Sequence, residues 1–386
     1  MKHFHVAAIL IAALGLAAPA TAQERDLEPP SAEILTWSPP RQVAGYRAID
    51  RLSPTREVSR GTLAYPLLPD LRDWSTFRYR FQDRELTVDD YIREMRVAGV
   101  IALKGDRVLL ERYALGNDAS SRWLSFSVTK SVTSMLIGAA IQDGYIESVD
   151  DRVVDYLPRL KGSAYDEVTI RQVLQMASGV GWNEDYTDET SDLSRAPLGS
   201  VALFDYMRGL PAEAAPGKRF NYSTGETNVA GALLRAAIGN NLSVYLEDKI
   251  WRPFGMESDA AWTLDRPRGE ELGGCCLNAT LRDYARIGRF AVRDGVLPDG
   301  TRVLPEGWMT QSTTPSPAAD QYGYYWWLLG GGTYAAIGIF GQTIWIDPQR
   351  DIVIAMHSAW PEATGRELSR HRMAFLASLA EALAEP

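Results

Sequence analysis

Apolar side chains recur along this chain in two distinct periods. Val128, Val132, Met135, Leu136, Ala139 and Ala140 follow one another at three- and four-residue steps, and Gly144 closes the run; that spacing predicts one long amphipathic helix. Thr87 is placed to cap a helix over 86–98 that carries Val88, Tyr91, Ile92 and Met95 on one face, and Thr169 to cap another with Val173, Leu174 and Ala177. A short capped helix at 150–158 ends in Pro158, and further helices are expected near 226–237, 242–250, 281–293 and 367–384. Period-two runs at 100–103 and 107–113, joined across Lys104-Gly105-Asp106, read as a hairpin. The segments 324–329, 334–339, 343–346 and 352–357 read as later strands, after a turn-rich hairpin at 295–303. Strands at both ends with helices between predict an α/β (α+β) fold: a central antiparallel sheet made from both chain ends, interrupted by a helical insertion.

Other stretches set the organisation around that core. Lys2, the apolar run Val6 to Ala18 and Ala20-Thr21-Ala22 have the pattern of a signal peptide over residues 1–22, cut near Ala22. Export to the periplasm or medium is therefore expected. Residues 23–85, with Pro29-Pro30 and Pro39-Pro40, read as an extended arm with little regular structure. The remainder, 86–386, is expected to be one domain, its α/β part at about 86–135 and 270–386 and its helical insertion at about 136–269. The polar stretch 178–200 is too long for a plain connector and fits a lid.

Composition narrows the chemistry. The formal net charge of −9 argues against nucleic acid and anionic membranes as partners, and no later segment is apolar enough to span a bilayer. Cys275 and Cys276 are the only cysteines; neighbours that bridge form a strained ring, so two free, buried thiols are expected. His3 and His5 fall in the leader, leaving His357 and His371. His371 stands between two arginines and reads as exposed. A Ser-His-Asp triad would have to pass through His357, there is no G-x-S-x-G elbow, and a His-rich metal centre cannot be assembled. No cofactor is expected.

A histidine-free serine chemistry is available in Ser127-Val128-Thr129-Lys130. Residues i and i+3 share a helix face, so Ser127 and Lys130 are neighbours, and a buried neutral lysine can take the proton that makes a serine nucleophilic. The same motif also suits an ordinary helix start. Tyr222, in Phe220-Asn221-Tyr222-Ser223-Thr224 before a helix, offers either a packed aromatic or a hydroxyl aimed at that pair.

Together, Ser-x-x-Lys opening a helix and a later Tyr-x-x loop resemble the penicillin-recognising serine hydrolases: class C β-lactamases, D,D-peptidases and related esterases. The resemblance implies a β-lactamase-like three-layer sandwich with an inserted all-helical subdomain, Ser127 as nucleophile, and Lys130 with Tyr222 as base and proton shuttle. Two departures matter. Thr224 stands where class C enzymes have asparagine, and the strand expected to carry a basic third motif, Tyr334 to Gln342, has no cation. A charge-assisted hydrogen bond of that kind contributes roughly 1.5–3 kcal/mol, so its loss weakens carboxylate recognition by about one to two powers of ten. The strand's backbone N–H can still form an oxyanion hole with that of Ser127.

A second resemblance spans nearly the whole mature chain. Trp37-Ser38-Pro39 with Gly45-Tyr46-Arg47, Ser125 to Ser131, Tyr165 to Gln172, Ser178-Gly179-Val180 with Trp182, and Glu184 to Asp188 look like the 6-aminohexanoate-dimer hydrolases. So do Tyr222 with Glu226-Thr227, Asn278-Ala279-Thr280 with Arg282-Asp283, and Phe340-Gly341-Gln342 ahead of Asp347-Pro348. That family cleaves linear amides of nylon oligomers and carboxylic esters. By resemblance, Tyr186 is the lid tyrosine that hydrogen-bonds the substrate. Asp185, Asp188 and Asp192 are candidates to meet a substrate ammonium. Trp326, Trp327, Ile339 and Phe340 are candidates for an apolar wall.

The expected activity is hydrolysis of a small amide or ester through an acyl-serine. For half of Lys130 to be neutral at pH 7 its pKa must drop from about 10.4 to about 7, a cost of about 4.5 kcal/mol; a tyrosinate sharing one proton with the lysine is the alternative. β-Lactamase or D,D-peptidase activity, and a non-catalytic binding protein of the same fold, are the rival readings. The sequence leaves the oligomeric state open.

Overall fold

The computed structural model of the protein describes residues 32–385; the expected signal peptide at 1–22 lies outside them. Its centre is a seven-stranded sheet in the order Trp327–Gly330, Thr333–Ile337, Thr343–Asp347, Ile352–Ser358, Val97–Lys104, Arg107–Tyr113 and Leu68–Pro69. All neighbours are antiparallel except the last pair, which is parallel. The two chain ends meet where Ile354 pairs with Ala102 and Met356 with Val100.

Strict alternation explains the three layers. Ile101, Leu103, Val353 and Ala355 face one core, shared with the buried helices Val128–Gln142 and Leu281–Val292. Val100, Ala102, Ile354 and Met356 face the other, beneath the C-terminal helix Arg366–Ala384. Period two in the strands thus serves two apolar faces, as a sheet covered on both sides requires. The Leu281–Val292 helix lies so close to the sheet that a Cβ at Gly288 would stand 2.5 Å from Val353 Cγ1. The helical section between the two sheet halves begins after the Val128–Gln142 helix and includes Ile170–Leu174, Ser200–Gly209, Thr224–Ile238 and Leu242–Leu246. Thr87 and Thr169 each close a reciprocal capping box, with Asp90 and Gln172.

Two expectations need correction. Pro39 and Pro40 do not mark an irregular arm: they occupy the first turn of a 14-residue helix, Pro39–Leu52, where a missing N–H costs nothing and a fixed φ helps. His371 is 6% exposed; its ring stacks on Phe81 and its Nε2 lies 2.6 Å from Tyr79 Oη. Among the described residues, no helix is long and apolar enough to cross a membrane.

Candidate active site

Ser127 stands at the N-cap of the Val128–Gln142 helix, yet its side chain makes no capping bond. The hydroxyl is turned away from the helix end it could satisfy. The preceding residue, Phe126, sits at φ 46°, a conformation sparsely populated for a bulky side chain and common where a turn must aim a functional group. The turn is held by Val128 N to Ser125 O at 3.2 Å, Thr129 N to Phe126 O at 3.2 Å, and Ser125 Oγ against Thr129 Oγ1 at 2.7 Å. From the other side, Gly338 at the end of the Thr333–Ile337 strand presses on this turn. A Cβ there would stand 2.5 Å from Ser125 O, so glycine is required for the strand end to approach the serine.

Lys130 is 1% exposed. Its Nζ donates to Ser127 Oγ at 2.9 Å, to Gly274 O at 2.9 Å and to Thr224 Oγ1 at 3.1 Å. Burial pulls its pKa down to about 8, and the Glu184 charge opposes that shift. Tyr222 lies in the loop leading to the Thr224–Ile238 helix, which Ser223 caps by accepting from Glu226 N at 3.0 Å. Asn221 fixes that loop, its N donating to Met176 O at 2.7 Å and its Nδ2 to Trp182 O at 3.1 Å. The Tyr222 ring packs under the ammonium, 5.2 Å from Lys130 Nζ to the ring centre, and stacks on Trp327 at 5.7 Å. Burial raises the Tyr222 phenol well above its ordinary range, the Glu184 charge adds to that, and a hydrogen bond with Ser127 opposes it.

Thr224 gives the departure from asparagine a physical reading. Its hydroxyl accepts from Lys130 and donates to Glu184, while its backbone N–H donates to Glu184 Oε2 at 2.9 Å. Glu184 also accepts from Tyr186 Oη at 3.0 Å and from the Trp182 indole. One loop carboxylate thus ties Lys130, Thr224, Trp182 and Tyr186 into a connected network. Sequence reasoning singled out its neighbours instead. Asp185 and Asp188 turn onto Thr187 and Thr190 of their own loop, and Asp192 accepts from Asn183 N and Tyr206 Oη. None of the three lines the cleft around Ser127.

That cleft has two lobes that meet at Ser127, Tyr186 and Ile339. One, of about 320 Å³, is walled by Phe126, Trp182, Leu193, Leu198 and Leu203. The other, of about 300 Å³, is bounded by Tyr222, Trp327, Gly338, Trp360 and Arg372. Phe340 and Trp326, expected on an apolar wall, are 0% exposed and belong to neither lobe. Phe340 sits at φ 58° and turns inward against Tyr46 and Phe126. Among the described residues, neither the Ser127 nor the Ile339 backbone N–H has a backbone partner, so both donors are available to an oxyanion.

Arg372 answers the missing cation. The strand has none, but the C-terminal helix brings this guanidinium to the same lobe. It lies 5.0 Å over the Trp360 ring, donates to Thr343 Oγ1 at 3.3 Å, and leaves its buried Nε without a partner. Burial draws its pKa down to about 10. His357, the other histidine considered, is buried against Trp123 and Tyr284, with burial pulling its pKa down to about 3. It does not line the Ser127 cleft.

Comparison with known proteins follows this geometry. The family model described as Beta-lactamase matches residues 87–378. The chain is 29% identical over 364 residues to the 6-aminohexanoate-dimer hydrolase of Paenarthrobacter ureafaciens, covering 88% of this chain and 90% of that protein. A Bacillus anthracis structure provisionally named a 6-aminohexanoate-dimer hydrolase superposes with a TM-score of 0.81 at 19% identity, over 94% of this chain and 98% of the other. A family VIII carboxylesterase superposes with a TM-score of 0.57 at 15% identity, over 75% and 94%. At such identities the structural matches speak for the fold alone.

Proposed function

The chain belongs to the Beta-lactamase family, and on that premise we propose that it is an exported serine hydrolase that cleaves linear amide or ester bonds through an acyl-serine. The observation that carries the proposal is the 2.9 Å contact between Lys130 Nζ and Ser127 Oγ, inside a cleft large enough for a small-molecule substrate. The relative from Paenarthrobacter ureafaciens, a 6-aminohexanoate-dimer hydrolase, supports the amidase side, and the carboxylesterase neighbour the esterase side.

In this reading Ser127 Oγ attacks the substrate carbonyl while neutral Lys130 takes its proton. A pKa of about 8 for Lys130 leaves roughly a tenth of the molecules neutral at pH 7, whereas Tyr222 is driven the other way by burial. Lysine is therefore the resting base, and Tyr222 acts as a neutral phenol that passes the proton to the leaving group. The Ser127 and Ile339 N–H groups hold the oxyanion. Tyr186, anchored on Glu184, contacts substrate from the lid, with Trp327 and Ile339 forming the apolar wall. Water then cleaves the acyl-serine with Lys130 again as base.

One observation favours the second reading, a β-lactamase or D,D-peptidase. Arg372 supplies a cation in the cleft, as substrates with a free carboxylate require. Wild type and Ser127→Ala assayed side by side on a short p-nitrophenyl ester, a linear aminohexanoate dimer and a chromogenic cephalosporin separate the readings. Ser127-dependent turnover of the first two with a negligible rate on the third is expected; the reverse pattern favours the β-lactam reading, and no turnover of any favours a binding protein.

A further inference from the structure

The two lobes that meet at Ser127 differ in charge. The lobe of about 320 Å³ has leucines and aromatics on its wall and no charged side chain among the residues that line it. Away from Ser127 and Tyr186, its hydroxyl and amide side chains are Ser194, Thr224 and Asn228, and Asn228 Oδ1 already accepts from Gly274 N at 3.1 Å. Arg235 and Asp265 line a separate recess of about 30 Å³ that shares Leu198 and Leu203 with this lobe, with room for about one or two waters. An ammonium drawn into the larger lobe would therefore meet no carboxylate, and burying a charge unpaired is unfavourable.

The lobe of about 300 Å³ carries two charges, Glu184 and Arg372. Glu184 is committed, since it accepts from Trp182, Tyr186 and Thr224. Arg372 is not. It is 6% exposed, Thr343 Oγ1 is its one hydrogen-bond acceptor among the described residues, and its Nε has none. Ser369, one helical turn before it, and Thr364 add two hydroxyls to the same lobe. A buried guanidinium with open donors is matched by a carboxylate.

Tyr222 decides which part of a substrate goes where. It borders the Arg372 lobe and not the uncharged one. As the group that protonates the leaving nitrogen, it places the departing amine on the Arg372 side and the acyl group on the other. We propose that the substrates are N-acyl amino acids, with an apolar acyl chain or ring in the uncharged lobe and the carboxylate of the departing amino acid on Arg372. This assignment rests on the Ser127–Lys130 reading. Ser127 Oγ bonds to the acyl carbon as its proton passes to Lys130, the C–N bond breaks, and the nitrogen takes a proton from Tyr222 and leaves as the free amino acid. Water then adds to the acyl carbon, the bond to Oγ breaks, Ser127 regains its hydrogen and the apolar acid departs. One water is consumed per amide.

Three linear amides of matched length test the two ends separately. They are N-heptanoyl-6-aminohexanoate, the aminohexanoate dimer, which has an ammonium in place of the terminal methyl, and N-hexylheptanamide, which has a methyl in place of the carboxylate. Wild type is assayed for kcat/KM by amine release, and Ser127→Ala for Kd by calorimetry. In both readouts the first amide is expected to lead the dimer by about tenfold or more and the hexyl amide by about ten- to a hundredfold. Each methylene removed from the acyl chain should lower kcat/KM about fourfold. Arg372→Met brings the ratio of acid to hexyl amide toward one, and Leu198→Glu lowers the ratio of heptanoyl amide to dimer. A dimer bound and cleaved as well as the heptanoyl amide overturns the uncharged acyl lobe. A hexyl amide as good as the acid, or a preference that survives Arg372→Met, overturns the carboxylate site. Ser127-dependent hydrolysis of a p-nitrophenyl ester with no order among the amides, or with none of them bound or cleaved, overturns the substrate class and leaves the nucleophile reading standing. The expected order of Kd on a Ser127→Ala protein that still cleaves would remove the nucleophile and leave the recognition of both ends.

Discussion

Lys130 Nζ lies 2.9 Å from Ser127 Oγ, one helical turn along the same helix, with the lysine held by Thr224 and Gly274 on its other sides. In the proposed mechanism this buried amine exchanges a proton with the serine, because burial disfavours the charge that an ordinary surface lysine keeps in water.

With the Lys130 pKa drawn down to about 8 by burial, kcat/KM on a neutral ester is expected to fall below an apparent pKa of about 8, tenfold per pH unit on the acidic side. Glu184 favours the ammonium, so Glu184→Gln moves that limb to lower pH. A pH–rate profile of both proteins checks the sign; a limb that stays put, or rises, contradicts the lysine as base.

Tyr222 acts on the leaving group in this mechanism and contributes its hydroxyl rather than its ring. Tyr222→Phe preserves the packing on Trp327 and is expected to reduce kcat by about 10²–10⁴-fold, with little change in KM. The loss should be greater for an amide than for a p-nitrophenyl ester, whose leaving group needs no proton.

Arg372 has no carboxylate within ion-pair distance among the described residues, and a buried cation without an anion is unfavourable by several kcal/mol. Arg372→Met, which keeps an apolar contact with Trp360, should raise KM about ten- to a hundredfold for substrates bearing a carboxylate. Neutral esters should be turned over as before. Michaelis–Menten kinetics on a matched acid and methyl-ester pair decide it.

Glu226 is 2% exposed, accepts from Ser178 and leaves Oε2 without a partner; burial pushes its pKa up to about 8. The folded protein therefore keeps a proton that the unfolded chain loses near pH 4.5. Between about pH 4.5 and 8 stability should decline as pH rises, by about 1.4 kcal/mol per unit from this group. Glu226→Gln removes that slope. Denaturant midpoints at pH 5 and 8 check it: the variant's advantage should grow from the first to the second.

How much of this was legible beforehand depends on how local the cause was. The alternation of Val97–Lys104 and Ile352–Ser358 and the helical step of Val128 to Ala140 belong to single segments, so they are visible in the chain. The Ser-x-x-Lys spacing is equally local. Glu184 was not legible as the network hub, because it shares an acidic run with Asp185 and Asp188 and only the folded loop turns one of them inward. Arg372 and His371 sit in a polar helix start, and it is the packing of Tyr79, Phe81 and Trp360 that buries them. Phe340 looked like pocket wall because the left-handed turn that points it into the core cannot be read from a Phe-Gly pair. Pro39-Pro40 misled because proline breaks helices inside but begins them at the first turn.

The most direct test is covalent. A fluorophosphonate probe incubated with the mature protein, followed by intact mass and peptide mapping, should add one probe per chain on Ser127, with labelling abolished in Ser127→Ala and slowed at least a hundredfold in Lys130→Ala. Labelling that persists in Ser127→Ala, or that maps to another residue, would contradict Ser127 as the nucleophile.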